Sequence, residues 1–289
     1  MNWKLDIEKL LTIRFESKVE IISHSYVGGG SINETFRIQT NIGDFFVKKN
    51  SFALYPLMFE NEASGISLLG ETDEILVPEV IAHGKGTSDA YLILNFIESG
   101  NMGNGFWEKF AKQIANLHRH TSNIFGLDYN NYIGSLKQSN KNHNNWVDFF
   151  REERLIFQLK LARDNGKIGS DIIKMFDGLF SKLDEIFPVE PPALIHGDLW
   201  SGNYMANENG EPVIIDPAVY YGNREMDLAM TKLFGGFSDE FYKFYNDFFP
   251  LENGWKERLE YCNLYPLMVH VNLFGGGYIQ SVKSIIKRF

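Results

Sequence analysis

His196-Gly197-Asp198-Leu199-Trp200-Ser201-Gly202-Asn203 is the stretch on which the fold of this chain is decided. It follows an apolar run, Ala193-Leu194-Ile195, that reads as a buried strand. A second such run, Val213-Ile214-Ile215, ends on Asp216 about a dozen residues after Asn203. Two aspartates and an asparagine at this spacing supply a proton acceptor and two hard-oxygen ligands. Phosphoryl transfer to a hydroxyl asks for that set: a carboxylate for the acceptor's proton, oxygens to hold a cation against a triphosphate, and an in-line approach. Mg2+ suits one asparagine and one aspartate plus phosphate oxygens, because it prefers hard donors and keeps several waters. Each residue alone reads more readily as a turn cap or a strand end; the three constraints together reverse that and favour chemistry. His196 reads as a structural hydrogen bonder rather than an acid or base.

The pattern H-x-D-x-x-x-x-N with a later Asp is that of a kinase catalytic loop and its metal-binding aspartate. Such a loop needs a nucleotide cradle upstream. Gly28-Gly29-Gly30-Ser31-Ile32-Asn33 lies between two strand-like runs, where glycines let backbone N–H groups approach phosphate oxygens. By itself it reads as readily as a plain hairpin turn, and it is neither a Walker A loop nor a dinucleotide fingerprint. Lys48 closes the next strand after Phe45-Phe46-Val47, the place of the lysine that holds the α- and β-phosphates. Its carboxylate partner is expected on the following helix, with Glu62 preferred and Glu60 as competitor. Lys49 reads as a solvated strand-end lysine. Asn95 and Phe96, at the end of the last strand of this region, complete the nucleotide-binding set.

Working outward, residues 1–15 show helical spacing of Leu5, Leu10, Leu11 and Phe15. Strands are expected at 19–22, 35–40, 44–49, 79–82 and 91–96, with a helix over 54–70 packing through Leu57, Met58, Ala63, Ile66 and Leu69. After the small, polar stretch 98–105 the pattern is mainly helical, over 106–121, 146–165, 171–186 and most of 225–289. One strand-like island, 193–196 and 213–216, interrupts it. The expectation is an α+β chain: a small antiparallel-sheet lobe, 1–97, for nucleotide, and a larger helical lobe, 98–289, for catalysis and substrate.

The 289 residues carry a net charge of −9, which argues against a nucleic-acid partner, since phosphate neutralisation needs a basic face. The single cysteine, Cys262, lies in an apolar, aromatic stretch and reads as a buried filler. The first residues carry charges where a signal peptide is apolar, and no run is as long as a membrane span, so a cytoplasmic protein without a membrane partner is expected.

These residues name a family. The chain resembles the fructosamine kinase (ketosamine-3-kinase) family, relatives of the aminoglycoside and choline kinases, over nearly its whole length. The likeness runs through Gly28–Asn33, Phe46-Val47-Lys48, Met58–Ser64, Phe125-Gly126-Leu127, Trp146–Phe150, Arg154–Leu159, Leu194–Asn203, Asp216-Pro217-Ala218, Tyr221–Met230 and Phe234–Phe237. The Leu-Trp-Ser-Gly filling of the catalytic loop separates this family from its antibiotic-kinase relatives. The resemblance implies a bilobal protein-kinase-like fold and ATP with Mg2+. It implies Asp198 as catalytic base, Asn203 and Asp216 as metal ligands, and Lys48 with Glu62 as the phosphate-holding pair. It further implies a ketosamine substrate, as a small molecule or as a glycated lysine on a protein, phosphorylated on its C3 hydroxyl and thereby deglycated.

Trp200 is expected either to line the acceptor pocket or to be a core aromatic. Glu225 and Asp227 are expected either to bind a substrate amine or hydroxyl or to cap a helix N-terminus. His270 and Asn272 match a family helix near the pocket. Two departures stand out. Ser31 occupies a position where several family members carry a cysteine linked to redox-controlled dimers, so no such switch is expected. The stretch 134–140 lacks the family's usual proline, which leaves its geometry open. The competing activities are a kinase for another small hydroxylated amine and a nucleotide-binding pseudokinase; the filled catalytic positions speak against the latter.

Overall fold

Period-two alternation puts Phe36, Ile38, Phe45 and Val47 on one face of a sheet, and all four are buried there. The structure is a computed structural model that describes residues 3–28 and 32–289. Strands β1 (Ile21–Tyr26), β2 (Glu34–Thr40), β3 (Gly43–Ser51), β4 (Val80–Lys85) and β5 (Asp89–Asn95) pair antiparallel in the order β1-β2-β3-β5-β4. Helix α1 (Trp3–Phe15) covers the apolar face with Ile7 and Leu11, both wholly buried. In β3, Val47 stands opposite Phe36 of β2 and Ile93 of β5. Lys48, one residue on, therefore projects from the other face. Helix α2 (Met58–Gly70) packs on β4 and β5 through Met58, Phe59, Ala63, Ile66 and Leu69. Leu57, expected on that face, is instead exposed and left-handed at the helix start.

The rest of the chain is mainly helical. Helix α3 (Phe106–Leu117) leads to a small hairpin, β6 (Asn131–Ile133) and β7 (Leu136–Gln138), whose turn and second strand fall in the stretch 134–140 that the sequence left open. The single helix expected over 146–165 is α4 (Trp146–Phe149), a π-helical segment Phe150–Ile156, and α5 (Phe157–Asp164), run together. Next come α6 (Ser170–Phe180), α7 (Leu183–Ile186), then β8 (Ala193–Ile195), β9 (Tyr204–Ala206), β10 (Pro212–Ile214) and β11 (Tyr220–Gly222). Helices α8 (Glu225–Leu233), α9 (Asp239–Phe248), α10 (Trp255–Cys262), α11 (Leu264–Phe274) and α12 (Tyr278–Ile286) complete the chain.

Two compact units result: Met1–Phe110 with Gly202–Pro217, and Ala111–Ser201 with Ala218–Phe289. The strand island is thus divided. Strand β9 pairs with β10 in the first unit, whereas β8 pairs with β11 in the second. The β9–β10 hairpin is bound into its unit by main-chain bonds. Ile214 N–H donates to Leu76 O at 3.0 Å and Gly100 N–H to Ala206 O at 2.9 Å, while the Tyr204 ring sits among Phe106, Trp107 and Phe110. Cys262 is wholly buried, and burial pushes its thiol well above the usual range, as a filler requires. Among the described residues no helix is long and apolar enough to cross a membrane.

Candidate active site

In the first unit, the face of β3 opposite the apolar core carries a charged cluster. Lys48 Nζ lies 2.6 Å from Glu62 Oε1 and 2.6 Å from Asp216 Oδ1, with 3% of its side chain exposed. Burial works against the ammonium, but the Asp216 and Glu62 carboxylates outweigh it and raise the Lys48 pKa. Burial pushes the Glu62 carboxyl up, and the like charge of Asp216 adds to that while Lys48 opposes it. Helix phase decides between the two candidate glutamates: Glu60 lies toward Lys85, at 3.8 Å, one turn face away from Lys48. Lys49 is not solvated; its side chain is 14% exposed and ion-pairs with Glu34 at 2.8 Å.

Asp216 follows β10 with φ +56°, a left-handed conformation that aspartate tolerates better than most residues. Its side chain is 44% exposed although one oxygen holds Lys48. Asn203, just before β9, is buried. Its Nδ2 donates to Asp216 O at 3.4 Å and its carbonyl accepts from Ile215 N–H at 3.0 Å. The hairpin therefore brings an amide oxygen and a carboxylate to one end of the same strand pair. That all-oxygen set fits Mg2+. Among the described residues no cluster of three or more His, Cys, Asp or Glu could hold a metal ion. A cation here would have its coordination completed by nucleotide phosphates and water, the usual arrangement for this metal.

Of the remaining nucleotide-binding candidates, Gly28 has open space where a side chain would be, and Gly29, Gly30 and Ser31 lie outside the described residues. The Asn95 side chain accepts from Glu79 N–H at 2.7 Å, and the Phe96 ring lies under the Arg37 guanidinium at 4.0 Å.

In the second unit, β8 delivers the first half of the loop. Gly197 has φ +82°, and a Cβ there would fall 2.1 Å from Ala218 O, so only glycine fits between histidine and aspartate. Asp198 is partly buried; its N–H points to His196 Nδ1 at 3.2 Å and its carbonyl accepts from Trp200 N–H at 3.1 Å. His196 is wholly buried, which matches a structural part.

Asp227, at the start of α8, is where the structure corrects the sequence. It has no exposed surface. Its carboxylate accepts the N–H groups of His196 at 2.7 Å and Gly197 at 2.8 Å, and His118 Nε2 at 3.1 Å. His118 Nδ1 meets the Tyr245 hydroxyl at 2.8 Å. Asp227 is thus neither a substrate contact nor a helix cap but a clamp on the loop backbone. Glu225 is equally buried and is gripped by Arg258, with Nη2 to Oε1 at 2.6 Å and Nε to Oε2 at 2.9 Å, so it does not reach substrate either. In both cases a carboxylate beside an exposed-looking turn is drawn inward because buried donors need an acceptor. His118 and Tyr245 escaped the sequence reading, since a lone histidine ending a helix carries no motif.

Burial alone would raise the Asp227 pKa, but the His118 hydrogen bond, the charges of His118 and His196 and the Gly197 N–H together hold it below the ordinary value. A depressed folded pKa adds stability that is present above the ordinary aspartate range and lost as pH falls through the folded value. Asp227→Asn should therefore be less stable by about 1–3 kcal/mol at neutral pH, because its amide sets a donor against a loop N–H. Below about pH 4 the gap to wild type should narrow. Denaturant unfolding of both proteins from pH 7 to pH 3 checks this, and a constant gap would remove the charge from the clamp.

Trp200 is partly buried and meets Phe234 edge-on at 6.0 Å; Phe234, 41% exposed, lies 4.9 Å from the His270 ring. His270 Nδ1 donates to Pro266 O at 2.7 Å, which leaves Nε2 as an acceptor, and burial lowers its pKa, so it is neutral near pH 7. Asn272 does not join this group: its side chain ties α11 to α5 by donating to Gln158 O at 3.0 Å and Gln158 Oε1 at 2.7 Å.

The profile of the family described as fructosamine kinase matches residues 3–289. A "probable ketoamine kinase" of Synechocystis sp. is 40% identical over 263 residues, covering 91% of this chain and 88% of its own length. The chloroplastic protein-ribulosamine 3-kinase of Arabidopsis thaliana is 40% identical over 269 residues, covering 90% and 80%. A crystal structure from Haemophilus somnus, provisionally named a fructosamine-3-kinase, superposes with a TM-score of 0.88 at 28% identity over 99% of both chains. The α+β, protein-kinase-like fold expected from the sequence is the fold observed. With the profile matched from the third residue to the last, and two-fifths of positions shared with kinases of one kind, this chain belongs to the fructosamine kinase family and is an ATP-dependent phosphotransferase.

Proposed function

We propose that this enzyme phosphorylates the C3 hydroxyl of ketosamines, the rearranged adducts of sugars with amines. The observation that carries the reading is the 40% identity, over 90% of the chain, to a relative named protein-ribulosamine 3-kinase. Asp198, on a loop whose backbone Asp227 clamps, takes the proton of the C3 hydroxyl as its oxygen attacks the γ-phosphorus and ADP leaves. Lys48, held by Glu62, binds the α- and β-phosphates, and Gly28 to Ser31, Asn95 and Phe96 enclose the nucleotide. Asn203 and Asp216 would hold Mg2+, which when bound neutralises charge on the triphosphate. Trp200 and His270 Nε2 border the acceptor. In this reading residues 1–97, joined by Asn203 and Asp216, serve the nucleotide and the rest of 98–289 the acceptor, in the cytoplasm.

The chemical consequence follows from the position of the ester. Phosphate on C3, beside the C2 carbonyl, is a better leaving group than hydroxide once the C1–C2 enaminol forms. Its loss, followed by addition of water, releases the free amine, a dicarbonyl sugar and inorganic phosphate. The product of this kinase thus frees an amine, including a glycated lysine of a protein.

Incubation with Mg-ATP and ribulosyl-lysine, fructosyl-lysine or kanamycin, with ADP release as the signal, tests the proposal. ADP with either ketosamine is the expected result. Turnover of kanamycin alone would overturn it, as would ATP binding without turnover of any acceptor.

A further inference from the structure

The π-helical segment Phe150–Ile156 buries a cation that the mechanism above does not use. Arg154 has no exposed surface. The other arginines buried in the second unit are matched to carboxylates, Arg224 to Glu190 at 2.7 Å and Arg258 to Glu225 at 2.6 Å. Among the described residues Arg154 meets neutral oxygens and no carboxylate: Ser139 O at 2.5 Å, Asn140 Oδ1 at 2.8 Å and Glu153 O at 3.3 Å. Its Nε has no partner among the described residues. The adjacent Glu153 carboxylate is turned away, to His143 Nε2 at 2.9 Å and to the Ser139 hydroxyl. Aromatic faces complete the cage, with Tyr220 at 3.9 Å, Phe149 at 4.5 Å and Tyr265 at 5.2 Å. Removing a charge from water without a counter-charge costs several kcal/mol. π-helical insertions recur at functional sites. Both point away from a purely structural arginine.

The cage backs directly onto the catalytic loop. Tyr220 stands opposite Ile195, the residue before His196. Ala218 N–H donates to His196 O at 2.9 Å, and Ala218 O accepts from Gln138 Nε2 at 3.0 Å. Gln138 Oε1 in turn accepts the Tyr265 hydroxyl at 2.6 Å. Burial raises the Tyr265 pKa, and its hydroxyl joins the aromatic cage of Arg154, through Gln138 and Ala218, to the His196 carbonyl. We propose that Arg154 is a positioning residue for phosphoryl transfer: its unpaired charge, fixed behind β8 and β11, offsets the negative charge that Asp198 and the incoming phosphoryl group bring to the loop. The proposal rests on the reading of Asp198 as the base.

Arg154→Met keeps the length and the aromatic packing but removes the charge. Replacing a buried charge by an apolar residue of similar size is often neutral or stabilising, so Tm should hold or rise. Over the same change kcat should fall about 10- to 100-fold, with the ATP KM within about twofold. Arg154→Lys, which restores a charge without the guanidinium fork, should recover part of the lost kcat. Measurement uses whichever acceptor the unmodified chain turns over. Absence of any such acceptor would sink this proposal together with the reading it rests on, whereas turnover of kanamycin alone would sink only the ketosamine reading. A folded Arg154→Met with wild-type kcat, or one whose kcat falls only as its Tm falls, overturns the proposal. Should that variant not fold, a folded Arg154→Lys without turnover overturns it equally.

Discussion

Asp198→Asn should bind ATP as the wild type does and lose about 10²- to 10⁴-fold in turnover. The asparagine keeps the size of the side chain, and the loop's shape depends on main-chain bonds that the change leaves alone. His196 and Gly197 still donate to Asp227, and Trp200 N–H still donates to the residue-198 carbonyl. In the proposed reading Lys48 holds the phosphates and Asn203 and Asp216 supply the oxygen ligands, so the change at Asp198 takes nothing from the nucleotide. What disappears is the acceptor for the hydroxyl proton, which is required only as the oxygen attacks. The loss therefore falls on kcat and not on the ATP KM. Isothermal titration with a non-hydrolysable ATP analogue, beside steady-state kinetics on a ketosamine, checks both halves. Turnover near the wild-type value would mean that another group takes the proton.

Lys48→Met should lose both turnover and stability, and a second substitution should separate the two. Turnover is expected to fall about 10²- to 10³-fold, the usual effect of removing one preorganised charge from a developing transition state. Stability should fall by about 3–5 kcal/mol, because Glu62 is left as a buried carboxylate without its cation. The stranded carboxyl's folded pKa lies above its unfolded one, so it binds protons more readily in the folded state. The deficit should grow as pH rises from the ordinary glutamate range, about pH 4, and shrink below it. Adding Glu62→Gln removes the stranded charge and should restore most of the stability while restoring no activity. A double variant that regains turnover would show that Lys48 serves only to neutralise Glu62.

Much of this was written in local spacing. The distances along the chain from Asp198 to Asn203 and on to Asp216 are set by covalent geometry and by short strands, and such patterns survive whatever surrounds them. Lys48 at a strand end and a glutamate on the next helix belong to the same class. The choice of Glu62 over Glu60 was legible only as a preference, since it depends on how α2 is rotated against the sheet. The structure settles it with a 2.6 Å ion pair. Glu225 and Asp227 misled because carboxylates in a first helical turn read as caps or contacts, while their real partners, Arg258 and His118, are more than thirty and a hundred residues away.

Residues close together in the chain were enough to mark phosphoryl transfer and, through Leu199-Trp200-Ser201-Gly202, the family; the oxygens and the lysine proposed to serve it lie in equally short patterns. The tertiary structure alone decided that the strand island is divided, with Asn203 and Asp216 in one compact unit and Asp198 in the other. It alone showed that Asp227 clamps the loop and that Arg154 lies buried without a counter-charge among the described residues. The physical reason is range. Motif residues are tied by a few covalent bonds and recur together, whereas burial and ion pairing join groups far apart in the chain, and no local pattern records which acceptor a buried donor will find.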